Sequence, residues 1–250
     1  MINVKNMKKP NFAICLSGGG FRAAAYHLGT LSYLSHLKIG NDKSFLEAVT
    51  IMSTISGGSI TGLWYAMNLC KGNDTEQSFQ QLYDILLHTD IPQMAVKRFL
   101  KNQDTEHSLI RVLADIYDES FFHQETFGTI LHHIDDIHLD YYTSNSTDFF
   151  KALPFRFQAV KKSRKETPEE HRGMIGNFFY GIPKEVAEHI RLSEILAASS
   201  CFPGAFEPFI FPDDFKLFED ADCKRMLQAA DLGPIELMDG GIADNQGLDY

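Results

Sequence analysis

No stretch of this sequence approaches the roughly 20 consecutive apolar residues that a membrane-crossing helix needs. The N-terminus carries lysines, but the apolar run that follows, Phe12 to Leu16, is too short for the core of a signal peptide. Cysteine is scarce, and Cys15, Cys70, Cys201 and Cys223 form no C-x-x-C pair. Each sits in an apolar or helical pattern that buries free thiols, so a reducing, cytoplasmic setting is expected. Positive charge is also short: 23 Lys and Arg against 33 Asp and Glu leave a net charge of −10. That argues against a nucleic-acid partner, because phosphate backbones are met by basic surfaces. It leaves room for a local basic patch facing a membrane. There is no internal repeat, low-complexity tract or long linker, so residues 1–250 are read as a single domain. The pattern leads us to expect a further helix beyond Tyr250, the chain being truncated at its C-terminus.

What is present is glycine at two telling places. In "FAICLSGGGFRAAAYHLGTL", Gly18, Gly19 and Gly20 stand between a buried-strand pattern at Phe12 to Leu16 and a helical pattern running to about Leu37. "AVTIMSTIS", Ala48 to Ser56, reads as a second strand, broken at Gly57-Gly58 before a helix-like segment from Ile60 to Leu69. Strand, glycine turn, helix, twice over, predicts parallel strands with crossover helices. The segment from Glu76 to Ile137 is predominantly helical and reads as an insertion or cap. Strand character returns in "LDYYTS", "FRFQAVKK", "NFFYGI" and "EPFIF", with a polar loop from Ser163 to Gly173. "RLSEILAASSCFPGAF" predicts a short helix capped by Ser193, and a helix-like segment around Phe215 to Ala230 leads to the strand that ends at Asp239.

Three exposed N–H groups at a helix start suit negative charge. Ser56, at a sharp strand-to-helix turn, has the geometry of a nucleophile elbow, with Thr54 at the first glycine position of G-x-S-x-G and Gly58 at the second. The alternative is a strand-end turn that uses Ser56 or Ser59 as a helix cap. Successive parallel strands would bring the two turns together at one sheet edge, one supplying a nucleophile and the other an oxyanion hole. Arg22 opposes the helix dipole where it stands, so an anion or a distant carboxylate is expected beside it.

Gly18-x-Gly20-x-x-Ala23 also satisfies the dinucleotide fingerprint, but the second strand ends in Ser56 and not in the acid that would hold a ribose. For the base, no histidine stands out. "HHIDDIH" could set His132 and Asp136 on one helix face as metal ligands, although a solvated face is the simpler reading. Asp239 before two glycines is either a turn former or a carboxylate held to act as base. The phenylalanines from 202 to 218 read mostly as core, with an acyl-chain pocket or membrane contact as the alternative. "IPQMAVKRFLKNQ" reads as an ordinary amphipathic helix or an interfacial lid, and "KKSRK" at 161–165 as a solvated loop or a headgroup contact.

Taken together, Ser-Gly-Gly-Gly-Phe-Arg at 17–22, Ser-Thr-Ile-Ser-Gly-Gly-Ser at 53–59, "AASSCFPGAFEP" at 197–208 and Asp-Gly-Gly at 239–241 resemble the patatin-like phospholipase family. The match is ordered and spans nearly the whole chain. The resemblance implies a three-layer α/β fold, a central mostly parallel sheet flanked by helices. It also implies lipid acyl hydrolysis of the phospholipase A, lysophospholipase or carboxylesterase type. On this sequence it gives Ser56 as nucleophile and Asp239 as base, with Gly18, Gly19 and Gly20 as the oxyanion loop. Arg22 is the basic residue that follows the loop, and Gly58 supports the elbow. Phospholipid or another acyl ester is then the substrate, with peripheral membrane contact, and the chemistry requires neither a metal nor an organic cofactor. The departure is Thr54, which asks for a less strained turn or a different approach of the elbow. Readings of another class are a lipid- or phosphate-binding module that keeps the glycine loops without catalysis, and a nucleotide-binding oxidoreductase.

Overall fold

The computed structural model describes residues 12–39, 43–101, 108–162, 175–219, 221–229 and 232–248. Strand β1 (Phe12–Leu16) passes through the glycines into α1 (Gly20–His36). The short pair β2 (Lys38–Ile39) and β3 (Lys43–Ser44) and the single turn α2 (Phe45–Ala48) then return the chain to β4 (Val49–Ile55). After one residue α3 (Gly57–Cys70) begins. The helical insertion comprises α4 (Thr75–His88), α5 (Ile91–Lys101), α6 (Leu109–Tyr117), a π-helical turn at Asp118–Phe122, and α7 (Gly128–His133). Then come β5 (Tyr141–Asp148), β6 (Leu153–Val160), β7 (Ile175–Gly176), β8 (Gly181–Ile182), α8 (Lys184–Ala187) and α9 (Leu192–Ser199). The described chain closes with β9 (Phe209–Phe211), α10 (Ala221–Ala229), β10 (Ile235–Asp239) and α11 (Gly241–Asp244).

Local chemistry sets many of these boundaries. Ser44 and Glu47 form a reciprocal capping box at the head of α2. Asp74 accepts the Gln77 amide at the start of α4, and Ser108 does the same for Arg111 at α6. Helix α3 is apolar or small on every side, and it is buried from Gly57 to Asn68, as a helix without a polar face must be. It starts at the glycines themselves, three residues earlier than its apolar spacing suggests.

The sheet explains how distant residues meet. β1 pairs with β4 and β4 with β5, all parallel, and antiparallel β6, β7 and β8 extend this centre. β6 occupies one side of β5 along its whole length, Tyr141 opposite Val160 through Asp148 opposite Leu153. The other side is shared. β4 takes Tyr141 to Asn145, and β10 comes in antiparallel over Ser146 to Asp148. β4 and β10 therefore approach each other end to end, and their last residues face one another beside Asn145 and Ser146. The crossovers place α1 and α3 against each other and over the sheet, with Leu16, Met52, Leu63, Phe155 and Phe157 buried between.

Three sequence expectations change. "NFFYGI" is not one strand: β7 ends at Gly176, and Asn177 closes a turn by accepting the Phe179 and Tyr180 amides on its Oδ1. Ser193 lies inside α9, whose first turn is held by Glu194 accepting the Arg191 amide. The 215–230 segment is a short 3₁₀ turn at Lys216–Glu219 followed by α10, not one helix. The polar loop and most of "KKSRK" lie outside the described residues; of that run, Lys161 pairs with Asp140 and Lys162 with Asp135.

Candidate active site

The β4–α3 junction is a single residue, Ser56, at φ 50° and ψ −120°. A side chain other than glycine held there costs on the order of 1–3 kcal/mol, so the surroundings must over-determine it. They do so from two sides. A Cβ on Gly57 would stand 2.1 Å from the Gly20 carbonyl oxygen, and one on Gly58 would stand 2.0 Å from that of Leu16. Only glycines let α3 start so close to the first turn.

Beneath the turn lies a buried hydroxyl layer. Ser199 Oγ donates to the Asn145 carbonyl at 2.7 Å and accepts the Ser56 amide at 2.9 Å. With its one proton so placed, it also accepts from Ser59 Oγ at 2.9 Å. Ser144 donates to Ser59, and Thr54 donates to the Thr143 carbonyl at 3.1 Å. Every member is satisfied, which is the condition under which a buried polar network stiffens a site. Thr54 thus belongs to the layer that holds the elbow, and the turn stays strained. Its methyl is accommodated by Gly62, where a Cβ would come within 2.3 Å of Thr54 Cγ2.

Asp239 ends β10 on the far side of the same gap. Its amide donates to the Cys201 carbonyl at 2.9 Å, and its own carbonyl accepts Thr147 Oγ1 at 3.0 Å, fixing the backbone. Its Oδ1 accepts the Gly241 amide at 2.7 Å, and it lines the same cleft as Ser56. Burial pushes the Asp239 carboxyl above the ordinary aspartate range, while the Gly241 amide and the polar Ser56 side chain pull the other way. Ser56 and Asp239, 183 positions apart in the chain, thus stand together on the floor of one cleft.

The glycine turn stands opposite. Gly19 and Gly20 have φ of 139° and 64°, conformations that a side chain rarely adopts. Gly18 is held differently, since its amide donates to the Asn245 carbonyl at 3.1 Å and a Cβ there would strike Asn245 Oδ1 at 2.2 Å. The Gly19 and Gly20 amides have no acceptor among the described residues. His27, buried behind the turn, donates from Nε2 to the Ser17 carbonyl at 2.9 Å, and burial holds its pKa below the ordinary histidine range. Arg22 is exposed in the first turn of α1, and no carboxylate pairs with it among the described residues.

These groups open on one cleft of about 920 Å³. Gly19, Gly20, Arg22, Ser56 and Asp239 line its floor; Ala95 and Val96 of α5 and Leu113 and Tyr117 of α6 line one wall, and Phe202 and Phe206 another. The helical insertion therefore supplies a wall of the cleft. Phe209, Phe211 and Phe215 are core, while Phe202 and Phe206 face the cavity, so the aromatic run divides between the two readings. His132 pairs with Glu188 and not with Asp136. Among the described residues no group of His, Cys, Asp and Glu is arranged to hold a metal ion. The sequence reading missed Ser199, Asn145 and Asn245, whose polar atoms matter only through contacts across the fold.

No curated protein matches the chain. A family model described as patatin-like phospholipase matches residues 14–250, from the second half of β1 through both glycine turns to the Asp239 turn. The chain belongs to the patatin-like phospholipase family.

Proposed function

We propose that the protein hydrolyses acyl esters of lipids with Ser56 as nucleophile and Asp239 as base. The observation that carries this reading is the strained Ser56 sharing the floor of an apolar-walled cleft with the buried carboxylate of Asp239. Ser56 Oγ attacks the ester carbonyl as its proton passes to Asp239, giving a tetrahedral oxyanion. The free amides of Gly19 and Gly20 are the donors available to that oxygen, each contributing about 2.7–4 kcal/mol if aligned. The intermediate collapses, the alcohol leaves with the proton from Asp239, and the acyl group stays on Ser56. Water then attacks the acyl-enzyme, giving its proton to Asp239, which returns it to Ser56 as the fatty acid departs. Helix α3 starts directly behind the nucleophile and adds its dipole to the same developing charge.

Asp239 acts as base only when ionised. Because burial raises its pKa, the activity is expected to rise with pH along an acidic limb displaced upward from the ordinary aspartate range.

The test is labelling with a fluorophosphonate probe together with product analysis on phospholipid, lysophospholipid and short-chain ester substrates. Ser56→Ala should abolish both labelling and turnover, and Asp239→Asn should lower turnover by at least a hundredfold with the fold intact. Equal labelling of wild type and Ser56→Ala would remove Ser56 from the mechanism. Turnover unchanged in Asp239→Asn would favour a binding module over an enzyme.

A further inference from the structure

Reverse turns are usually polar, because glycine, asparagine, aspartate, serine and proline suit their geometry. Two turns in this protein depart from that rule side by side. The β5–β6 turn carries Phe149 and Phe150, and the β7–β8 turn carries Phe178 and Phe179. All four rings are exposed, Phe150 at 84% and Phe178 at 92%. Leaving such rings in water forgoes the roughly 1.5–3 kcal/mol that each would gain on burial.

The turns are tied together. The buried Asp148 carboxylate accepts the Lys151 amide on one oxygen and Asn177 Nδ2 on the other, both at 3.1 Å. Asn177 in turn holds its own turn through the Phe179 and Tyr180 amides. Phe149 is pinned by donation from its amide to the Glu236 carbonyl at 2.8 Å. Lys151 lies among the rings, its Nζ 5.8, 5.1 and 5.3 Å from the centroids of Phe150, Phe179 and Tyr180. Exposed rings around an ammonium group that stays near water are the composition of an interfacial membrane anchor.

Position gives the cluster a purpose. Gly176 lies opposite Arg156, which lies opposite Asn145, the residue level with the end of β4. Both turns therefore project past the level of Ser56, and β7 stands three strand spacings from β4, about 14 Å. We propose that Phe149, Phe150, Phe178 and Phe179 with Lys151 form a preorganised anchor that docks the active-site end of the sheet on a lipid bilayer. The choice of a bilayer as partner rests on the acyl-hydrolase reading and on charge complementarity between Lys151 and phosphate headgroups. The rings stand exposed on projecting turns, and a fluid interface accepts such tips without a matching groove.

The experiment is sedimentation of the full chain with phosphatidylcholine vesicles, with and without added phosphatidylserine. In parallel, hydrolysis of a soluble short-chain ester is followed, and gel filtration reports the oligomeric state. Phe150→Ser combined with Phe178→Ser should lower vesicle partitioning at least tenfold, while soluble-ester turnover stays as in wild type. Lys151→Glu should weaken binding to phosphatidylserine-containing vesicles about fivefold more than binding to phosphatidylcholine alone. The anchor is overturned if wild type stays in the supernatant with both vesicles, or if the double variant sediments as wild type does. It is equally overturned if wild type is a dimer that the double variant dissociates, since a second copy would then cover the rings. Vesicle binding lost in the double variant supports the anchor even if wild type hydrolyses no ester, in which case the hydrolase reading alone fails.

Discussion

Two strand-to-helix turns built from the same material, Ser17 to Gly20 and Ser56 to Gly58, lie against one another and behave in opposite ways. At the second, one residue carries the strain, and everything around it is packed and hydrogen-bonded: Gly57 against Gly20, Gly58 against Leu16, the Ser56 amide on Ser199. At the first, the anchors sit in the first half of the turn, in Gly18 on Asn245 and in Ser17 on His27, and the two glycines that follow are exposed with open amides. A Cβ on Gly20 would meet nothing within 4 Å. A nucleophile needs one fixed position before the substrate arrives. An oxyanion site needs donors with no prior partner. Glycine in the elbow answers to close approach, and glycine in the loop answers to backbone conformation and unpaired N–H groups.

The largest effect is expected where the packing is tightest. In Gly58→Ala the new methyl meets backbone, the Leu16 carbonyl at 2.0 Å, so β1 and α3 must separate. The expected loss is more than about 3 kcal/mol, at the severe end for a point substitution. For a chain of this size it corresponds to a fall in Tm of roughly 6–12 °C. A Tm within about 2 °C of wild type would break the contrast, because the elbow would then have slack the geometry denies.

Which parts of this contrast were legible in the sequence follows from the same physics. Both turns were visible, because a strand pattern, glycines and a helical pattern are local signals, and β1 was read to its last residue. The helical insertion was also legible from its apolar stripes. Ser199 was not, because in "AASSC" it looks like any small residue in a buried helix. Its importance comes from β4 and β5 arriving beneath it. The division of labour among the glycines was hidden for a similar reason: Gly18 differs from Gly19 and Gly20 only in meeting Asn245, 227 positions later. The β7–β8 turn was misread as strand because aromatic side chains favour strands wherever they can be buried, and these are not.

The support of the elbow extends to a buried carboxyl group, where that of the loop rests on an imidazole, His27. Glu194, 2% exposed, heads the helix that carries Ser199 and accepts the Arg191 amide at 3.0 Å and the Lys216 amide at 2.6 Å. Burial nevertheless pushes its carboxyl up to about 7, against a reference of 4.5. Between those values the folded chain holds a proton that the unfolded chain has released, so stability falls as pH rises through this window and levels off above it. The shift corresponds to a loss on the order of 3 kcal/mol. Urea unfolding from pH 4.5 to 8 should show this decline in wild type and its absence in Glu194→Gln, the other carboxylates contributing equally to both. Parallel curves for the two proteins would separate Glu194 from the elbow's support.

The smallest expected effect on stability is also the one that most sharpens the contrast. Gly20→Ala places a methyl in open space, so the cost is conformational: an L side chain at φ 64° loses about 1–2 kcal/mol. Tm should fall by only about 2–8 °C. To escape that strain the peptide is expected to rotate, turning the Gly20 amide away from the position proposed for the oxyanion. Losing one such donor lowers kcat about a hundredfold or more with little change in KM, because the ground-state carbonyl depends on it far less than the transition state does. Gly58→Ala should do the reverse, losing activity in proportion to the fraction unfolded. Measuring kcat at a temperature where both variants remain folded separates the two. If Gly20→Ala retained full kcat, the Gly20 amide would not be a donor to the oxyanion, which the Gly19 amide and the head of α3 would then have to hold.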